Sequence, residues 1–326
     1  MPLNPFESLS ALKPPRETAP LSKGDIRREA GLGDSPPFEF PPEDDERLKN
    51  YLREAISAKK SGDLKSAIAS LKAYKQDFLE TKARLARGEL SPELSVIMEH
   101  EKQKLREFFG RDIAVPPLPE GITLEQVQAW EKQHLKLHYL PPIDMAKETE
   151  LEHWIKPDYQ YINESDLPKD AMLLPGSWLL VDERPKPKYE SGNQQYDNDT
   201  DFLGPVLEEL RQKGLIQSFK HPGSRFYISP QELENPAVIE AIARAYNLKP
   251  EQITLPRMIE FNVLGNIHHP EWGESNCSEW FSDQHKAGLK RLDGGNSVNG
   301  GLAYVGSRGP GVRSGNIGFR ALGRFS

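Results

Sequence analysis

Two histidines, His268 and His269, stand beside Glu271 and Glu274 in the stretch NIHHPEWGE. Imidazole and carboxylate this close along a chain can pass a proton near neutral pH or share a metal ion. The rival reading is a loop with a structural role, and it is the one adopted. A second pair, His134 and His138, is spaced one helical turn apart on a stretch read as helix. That spacing suits a metal, but no third ligand or catalytic Glu follows in pattern. Both are read as surface or half-buried side chains. Asp197, Asn198, Asp199 and Asp201 offer oxygens to calcium, yet the segment lacks the fixed glycine and closing Glu of a calcium loop. A solvated or capping loop is expected, with no metal, no cofactor and no catalytic residue assigned. Cys277 is the only cysteine. It excludes an intrachain disulfide and any mechanism needing a cysteine pair, and it reads as a small buried residue. Trp272 and Trp280 read as core.

The residues from Gly294 to Ser326 raise a different chemistry. They hold ten of the chain's 25 glycines together with Arg308, Arg313, Arg320 and Arg324, and no Asp, Glu or Lys. An Arg-Gly segment that binds nucleic acid would be repetitive and free of apolar anchors. Here Leu302, Val305, Ile317, Phe319, Leu322 and Phe325 recur at near-strand spacing. A phosphate cradle would place its glycines between a strand and a following helix, and neither GSRGPG nor GNIGFRALG does so. The remaining reading is a folded, loop-rich β-structure. Strands are expected over GLAYV and NIGFRALGRF, with Gly306 to Asn316 as a solvent-facing loop anchored by Phe319 and Leu322.

The elements behind these residues follow from composition and periodicity. The chain has 326 residues and a net charge of -7, so it carries no global pull toward nucleic acid or anionic membrane. No window reaches the length of a membrane span, and the N-terminus lacks the apolar stretch of a signal peptide. A cytoplasmic protein is the default expectation, without excluding export by another route. Residues 1–42 are rich in proline and read as a disordered tail. Residues 43–111 read as an α-helical hairpin or bundle with Leu48, Leu52, Ile56, Leu64, Ile68, Leu71, Phe78 and Leu85 on one face. Gly62 and Asp63 supply the turn. Ser91 and Pro92 open a third helix. Residues 112–160 read as a Pro-rich linker with one helix, from Thr123 to about His138. Residues 161–326 mix strand and helix. MLLPGSWLLVDE and RFYIS are expected strands. LGPVLEELRQKG and Pro230–Tyr246 are expected helices, the second capped by Ser229.

Within this last region NCSEWFSD, then KRLDGGNS, then a final NIGFR resemble the C-type-lectin-like fold of the formylglycine-generating-enzyme type. The residues that carry the likeness are Glu279, Trp280 and Asp283, then Arg291, Gly294, Gly295 and Ser297, then Gly318, Phe319 and Arg320. More narrowly, the arrangement is similar to the variable proteins of diversity-generating retroelements, and that likeness takes in GSWLLVDE, SRFYIS and EFNVLGNIHHPEWGE. The resemblance implies an α+β chain ending in a lectin-like ligand-binding domain with a variable region at about 290–326. Its scaffold would include Glu279, Trp280, Arg291, Gly294, Gly295, Ser297, Gly300, Gly301, Leu302, Val305, Ile317, Gly318, Phe319 and Arg320. Ligand-contacting, diversified positions would be Asn296, Val298, Asn299, Tyr304, Gly306, Ser307, Arg308, Val312, Arg313, Ser314 and Asn316. Tyr304, Arg308 and Arg313 would contribute most to binding. With two arginines and no acid in the loop, a protein or other macromolecular partner of acidic or phosphorylated character is favoured, and nucleic acid is not. The enzyme branch of that fold needs two reactive cysteines, so its chemistry is not implied. Two alternatives stay open: an enzyme of the same fold centred on His268, His269 and Glu271, and an Arg-Gly nucleic-acid binder.

Overall fold

The computed structural model describes residues 40–86, 92–159, 162–189 and 201–325. The expected tail therefore lies outside it up to residue 39, as do Ser91, Asp197, Asn198 and Asp199. The chain is mixed α/β and divides into two compact units, residues 1–95 with 123–125, and residues 96–122 with 126–326.

The first unit contains the hairpin. Helix α1 (Pro42–Lys60) and helix α2 (Leu64–Ala86) flank the turn at Gly62, whose φ of +81° is cheap only for glycine. The Asp63 carboxylate accepts from the Ser66 backbone N–H at 3.0 Å, the expected cap. Leu48, Leu52, Ala55 and Ala67 are buried, and Arg47 ties the helices together through Asp77 at 2.8 Å and Thr81 at 3.0 Å. Leu64, expected on the apolar face, is 60% exposed because it starts α2 at the turn. Helix α3 (Pro92–Phe109) belongs from Val96 onward to the second unit, where Leu105 and Phe109 are buried.

The expected linker region holds more structure than its prolines suggest. Helix α4 (Leu124–Glu131) stops well before His138. The chain turns at His134 (φ 60°) and continues as strand β1 (Leu135–Leu140). The reason is visible in LKLHYL, where Leu135, Leu137 and Tyr139 alternate with Lys136 and His138. That is a period of two, and strand pairing wins over helix continuation. Strand β1 pairs antiparallel with β2 (Ser177–Asp182), which is buried along its whole length.

The described strands form two four-stranded sheets. The first has the order β1-β2-β8-β3, with β3 at Ile253–Thr254 and β8 at Leu322–Phe325. The second has the order β6-β5-β4-β7. It contains β4 (Ser278–His285), β5 (Lys290–Gly294), β6 (Val305–Arg308) and β7 (Ile317–Gly318). Strands β4 and β7 are parallel, and the rest of that sheet is antiparallel. Residues 301–303 of GLAYV form a 3-10 turn, so only Val305 begins the strand there. The RFYIS segment is no ladder strand. Tyr227 takes a φ of 62° and donates its N–H to the Ser314 carbonyl, which breaks strand geometry. Helix α5 (Gly204–Gln212) forms as expected. The helix expected over Pro230–Tyr246 is two, α6 (Pro230–Leu233) and α7 (Pro236–Tyr246). Pro236 has no N–H to continue the ladder, and Asn235 caps the second helix. Ser229 closes a capping box with Glu232. Helix α8 (Met258–Ile267) completes the unit. Among the described residues no helix is long and apolar enough to cross a membrane.

Two arginine clusters sit inside the second unit. Arg225 bonds both Asp182 (2.8 Å) and Asp201 (2.7 Å), and Arg184 shares the same two acids. Asp201, a candidate calcium ligand, thus has its carboxylate committed to arginine. Arg320 is fully buried between the sheets. It donates to the Glu279 carboxylate on β4 at 3.0 and 3.2 Å and to the carbonyls of Asp182 and Arg184, and its guanidinium lies 3.9 Å from the Trp272 ring centre. Replacing Arg320 with Ala would take both guanidinium hydrogen bonds away from the buried Glu279 carboxylate and leave the carbonyls of Asp182 and Arg184 without that donor. We expect Arg320→Ala to cost about 3–5 kcal/mol in urea unfolding, against about 0.5 kcal/mol or less for the exposed Arg244→Ala.

Candidate functional site

The terminal segment separates into a buried framework and an exposed fringe. Trp280, Leu302, Val305, Ile317 and Phe319 are at most 4% exposed. Glu279 and Arg320 pair with each other, and the Trp280 indole N–H donates to the Ile228 carbonyl. Close packing explains two glycines. A Cβ on Gly294 would collide with the Tyr304 carbonyl, and one on Gly295 (φ +82°) would lie 2.6 Å from the Lys186 ammonium. Ser297, read as scaffold, faces solvent.

Among the positions expected from the sequence to contact a ligand, Val298 is 78% exposed and Val312 40% exposed, with Asn299, Arg308 and Arg313 also facing solvent. Tyr304, Ser307, Ser314 and Asn316 are half-buried. Two positions behave as framework instead. Asn296 is buried, donating its amide to the Asn276 carbonyl and accepting from the Val298 N–H. Gly306 lies in β6 opposite Asp293, with the Tyr304 hydroxyl where its Cβ would be. Neither constraint is local in sequence, so residue type alone could not reveal it.

The charge of the loop is also modified by tertiary contacts. Arg308 lies 3.3 Å from the buried Asp293 carboxylate, and Arg313 lies 3.0 Å from Glu232 at the start of α6. Both acids come from other elements, so the cationic surplus that favoured an acidic partner is largely neutralised at the surface. Cys277 is buried as expected, and its thiol donates to the Pro187 carbonyl at 2.7 Å. Burial pushes that thiol up from its ordinary value.

The histidines gather elsewhere in the same unit. His138 on β1 is buried with its ring centre 4.0 Å from that of His268. Its Nδ1 lies 3.0 Å from Glu101 of α3, and its Nε2 lies 3.2 Å from Glu183, just past β2. Burial opposes charge on His138, but the two carboxylates outweigh it and hold its pKa well above the ordinary value. His268 and His269 follow α8. Burial first, then the charge of His138, pushes both below the usual histidine range. Glu271 bonds His269 Nδ1 at 3.0 Å, while His268 Nε2 faces Glu101 at 3.7 Å. The trio His268, His269 and Glu271 is thus split between two carboxylate clusters. His134 is exposed and takes no part. Sequence reasoning missed Glu101 and Glu183 and placed His138 on a helix. The alternation in LKLHYL was the signal that would have put Lys136 and His138 on one face of a strand.

No family model, no curated protein and no solved structure matches the chain.

Asp293 gives a pH-dependent handle on the loop's base. Burial raises its carboxyl from 3.8 to about 6 despite the nearby Arg308. The folded chain therefore holds this proton more tightly than the unfolded chain. The associated stability is fully present below about pH 4 and is lost as pH rises through about 6. We expect the stability of the wild type relative to Asp293→Asn to fall across that window, measured as the difference in urea midpoints at successive pH values.

Proposed function

We propose that the chain is a ligand-binding variable protein of the kind diversified by retroelements, with recognition through the C-terminal loop surface of a lectin-like scaffold. The observation that supports this reading most is the division within the terminal segment. The apolar anchors Leu302, Val305, Ile317 and Phe319 are buried with Gly294, Gly295 and Gly318, while the unpatterned side chains at 298, 299, 308, 312 and 313 face solvent; Gly300 is exposed, and Asn296 and Gly306 are buried. Val298 and Val312 stand in water while the core closes around Leu302, Val305 and Phe319, which leaves two apolar side chains for a partner to cover. Two valines and the half-buried Tyr304 suit a protein partner. The pairing of Arg308 and Arg313 with acids removes the charge argument for a phosphorylated one. The framework beneath is held by close packing and buried charge, so the fringe positions Val298, Asn299 and Val312, unlike Arg308 beside the buried Asp293, can change without disturbing it.

Sequencing of codons 290–326 across a natural population tests the reading directly. Substitutions should concentrate at exposed codons between 296 and 316, spare the codons for Gly294, Gly295, Gly318, Phe319 and Arg320, and fall where a nearby template copy has adenines. Variation no higher than in the helical hairpin would overturn it. A laboratory counterpart replaces Val298, Asn299 and Val312 with residues of unrelated type. Each change should alter stability by no more than about 0.5 kcal/mol, whereas Phe319→Ala should cost about 3–5 kcal/mol.

A further inference from the structure

We propose that His138, His269 and Glu183 form a binding site for one divalent transition-metal ion of the zinc class, with a fourth coordination position open. The inference stands apart from the loop surface and does not rest on its reading. His138 Nε2 lies 3.2 Å and His269 Nε2 3.6 Å from the same oxygen of Glu183, and all three ligand atoms lie within 4.8 Å of one another. Ligands around a tetrahedral ion with bonds of about 2.1 Å are about 3.4 Å apart, and the two nitrogen–carboxylate separations of 3.2 and 3.6 Å match that spacing. Two nitrogens and one carboxylate oxygen suit zinc-like ions and disfavour calcium or magnesium, which prefer all-oxygen sets.

The surroundings prepare each ligand atom. Glu101 lies 3.0 Å from Nδ1 of His138, and Glu271 lies 3.0 Å from Nδ1 of His269. A carboxylate on the far ring nitrogen is what orients a metal-binding histidine and fixes its tautomer. Lys136 holds the second oxygen of Glu183 at 2.6 Å. The His269 ring is stacked on Trp272 at 4.4 Å with an interplanar angle of 10°, which fixes its plane. The decisive atom is Nε2 of His269. Its side chain is only 9% exposed, and this nitrogen has no hydrogen-bond partner. Its Nδ1 is engaged by Glu271 at 3.0 Å, so Nε2 is the ring atom directed at Glu183. Across 3.6 Å this orphaned nitrogen faces the same Glu183 oxygen that His138 Nε2 approaches at 3.2 Å, and an ion held by the three would take the place of the proton between His138 and Glu183, which leaves to solvent on binding. A cavity of about 260 Å³, lined in part by Trp130, Lys136, His138 and Glu183, borders two of the three ligands and gives an ion a route to the cluster from that side.

The test uses the full chain, stripped with a chelator and titrated calorimetrically with Zn²⁺, with Co²⁺ absorption as an optical probe of coordination. We expect one Zn²⁺ per chain and Co²⁺ bands of a four- or five-coordinate ion. His269→Gln and Glu183→Gln should each lower affinity at least about 100-fold. Glu271→Gln, a positioning change, should lower it about 10- to 100-fold while retaining one ion per chain. Glu274→Gln, an exposed neighbour, should bind like the wild type. Circular dichroism confirms that each variant is folded. If a ligand variant fails to fold, Glu271→Gln and the rise of wild-type Tm with added ZnCl₂ decide the matter. No stoichiometric binding by the wild type at micromolar Zn²⁺ would overturn the proposal. So would binding undiminished in the folded ligand variants or in Glu271→Gln.

Discussion

The guanidinium of Arg320 is the joint on which the second unit depends. Its donors fan out to Glu279 on β4 and to the carbonyls at the end of β2, so one side chain spans both sheets. Trp272 covers its face. A planar cation with five donors can satisfy a carboxylate and two carbonyls at once, which a lysine ammonium cannot do from one position. The charge is tolerated in the core because each acceptor around it needs a donor. The second cluster, with Arg184 and Arg225 on Asp182 and Asp201, lies against the same end of β2.

This concentration of buried charge determines what the rest of the chain is free to do. The terminal loops are tied at their base by Gly294, Gly295 and the Phe319–Arg320 stretch, all closed in the core. A rigid base with tips that the fold does not constrain is the arrangement a recognition surface requires. Asp293 is the exception at the boundary. It is buried on β5 yet reaches Arg308 on the exposed edge, so the identity of that edge residue feeds back on the charge of the core.

The histidine–carboxylate cluster forms where α3, β1, the end of β2 and the end of α8 converge. Helix α3 contributes Glu101, β1 contributes Lys136 and His138, the end of β2 contributes Glu183, and the end of α8 contributes His268 and His269. None carries a recognisable metal motif, and the cluster exists only because β1 pairs with β2 in a register that sets Lys136 and His138 beside Glu183.

Local physics determined much of this protein in advance. The hairpin turn at Gly62 and Asp63, the capping box at Ser229, the buried strand at SWLLVD and the apolar anchors of the terminal segment all follow from near-neighbour chemistry, and the structure contains them. Errors arose where two local signals competed. LKLHYL follows a helix without a proline between, yet its alternation of apolar and polar residues made it a strand. Pro236 sits in an otherwise helical stretch and split it. What only the tertiary structure decided is which distant groups meet. Arg308 and Arg313 read as free cations until Asp293 and Glu232 arrive from other elements, and His269 reads as a loop histidine until Glu183 faces it. Pairing between residues far apart in the chain depends on strand register and on which loops close, and no short window of sequence carries that information.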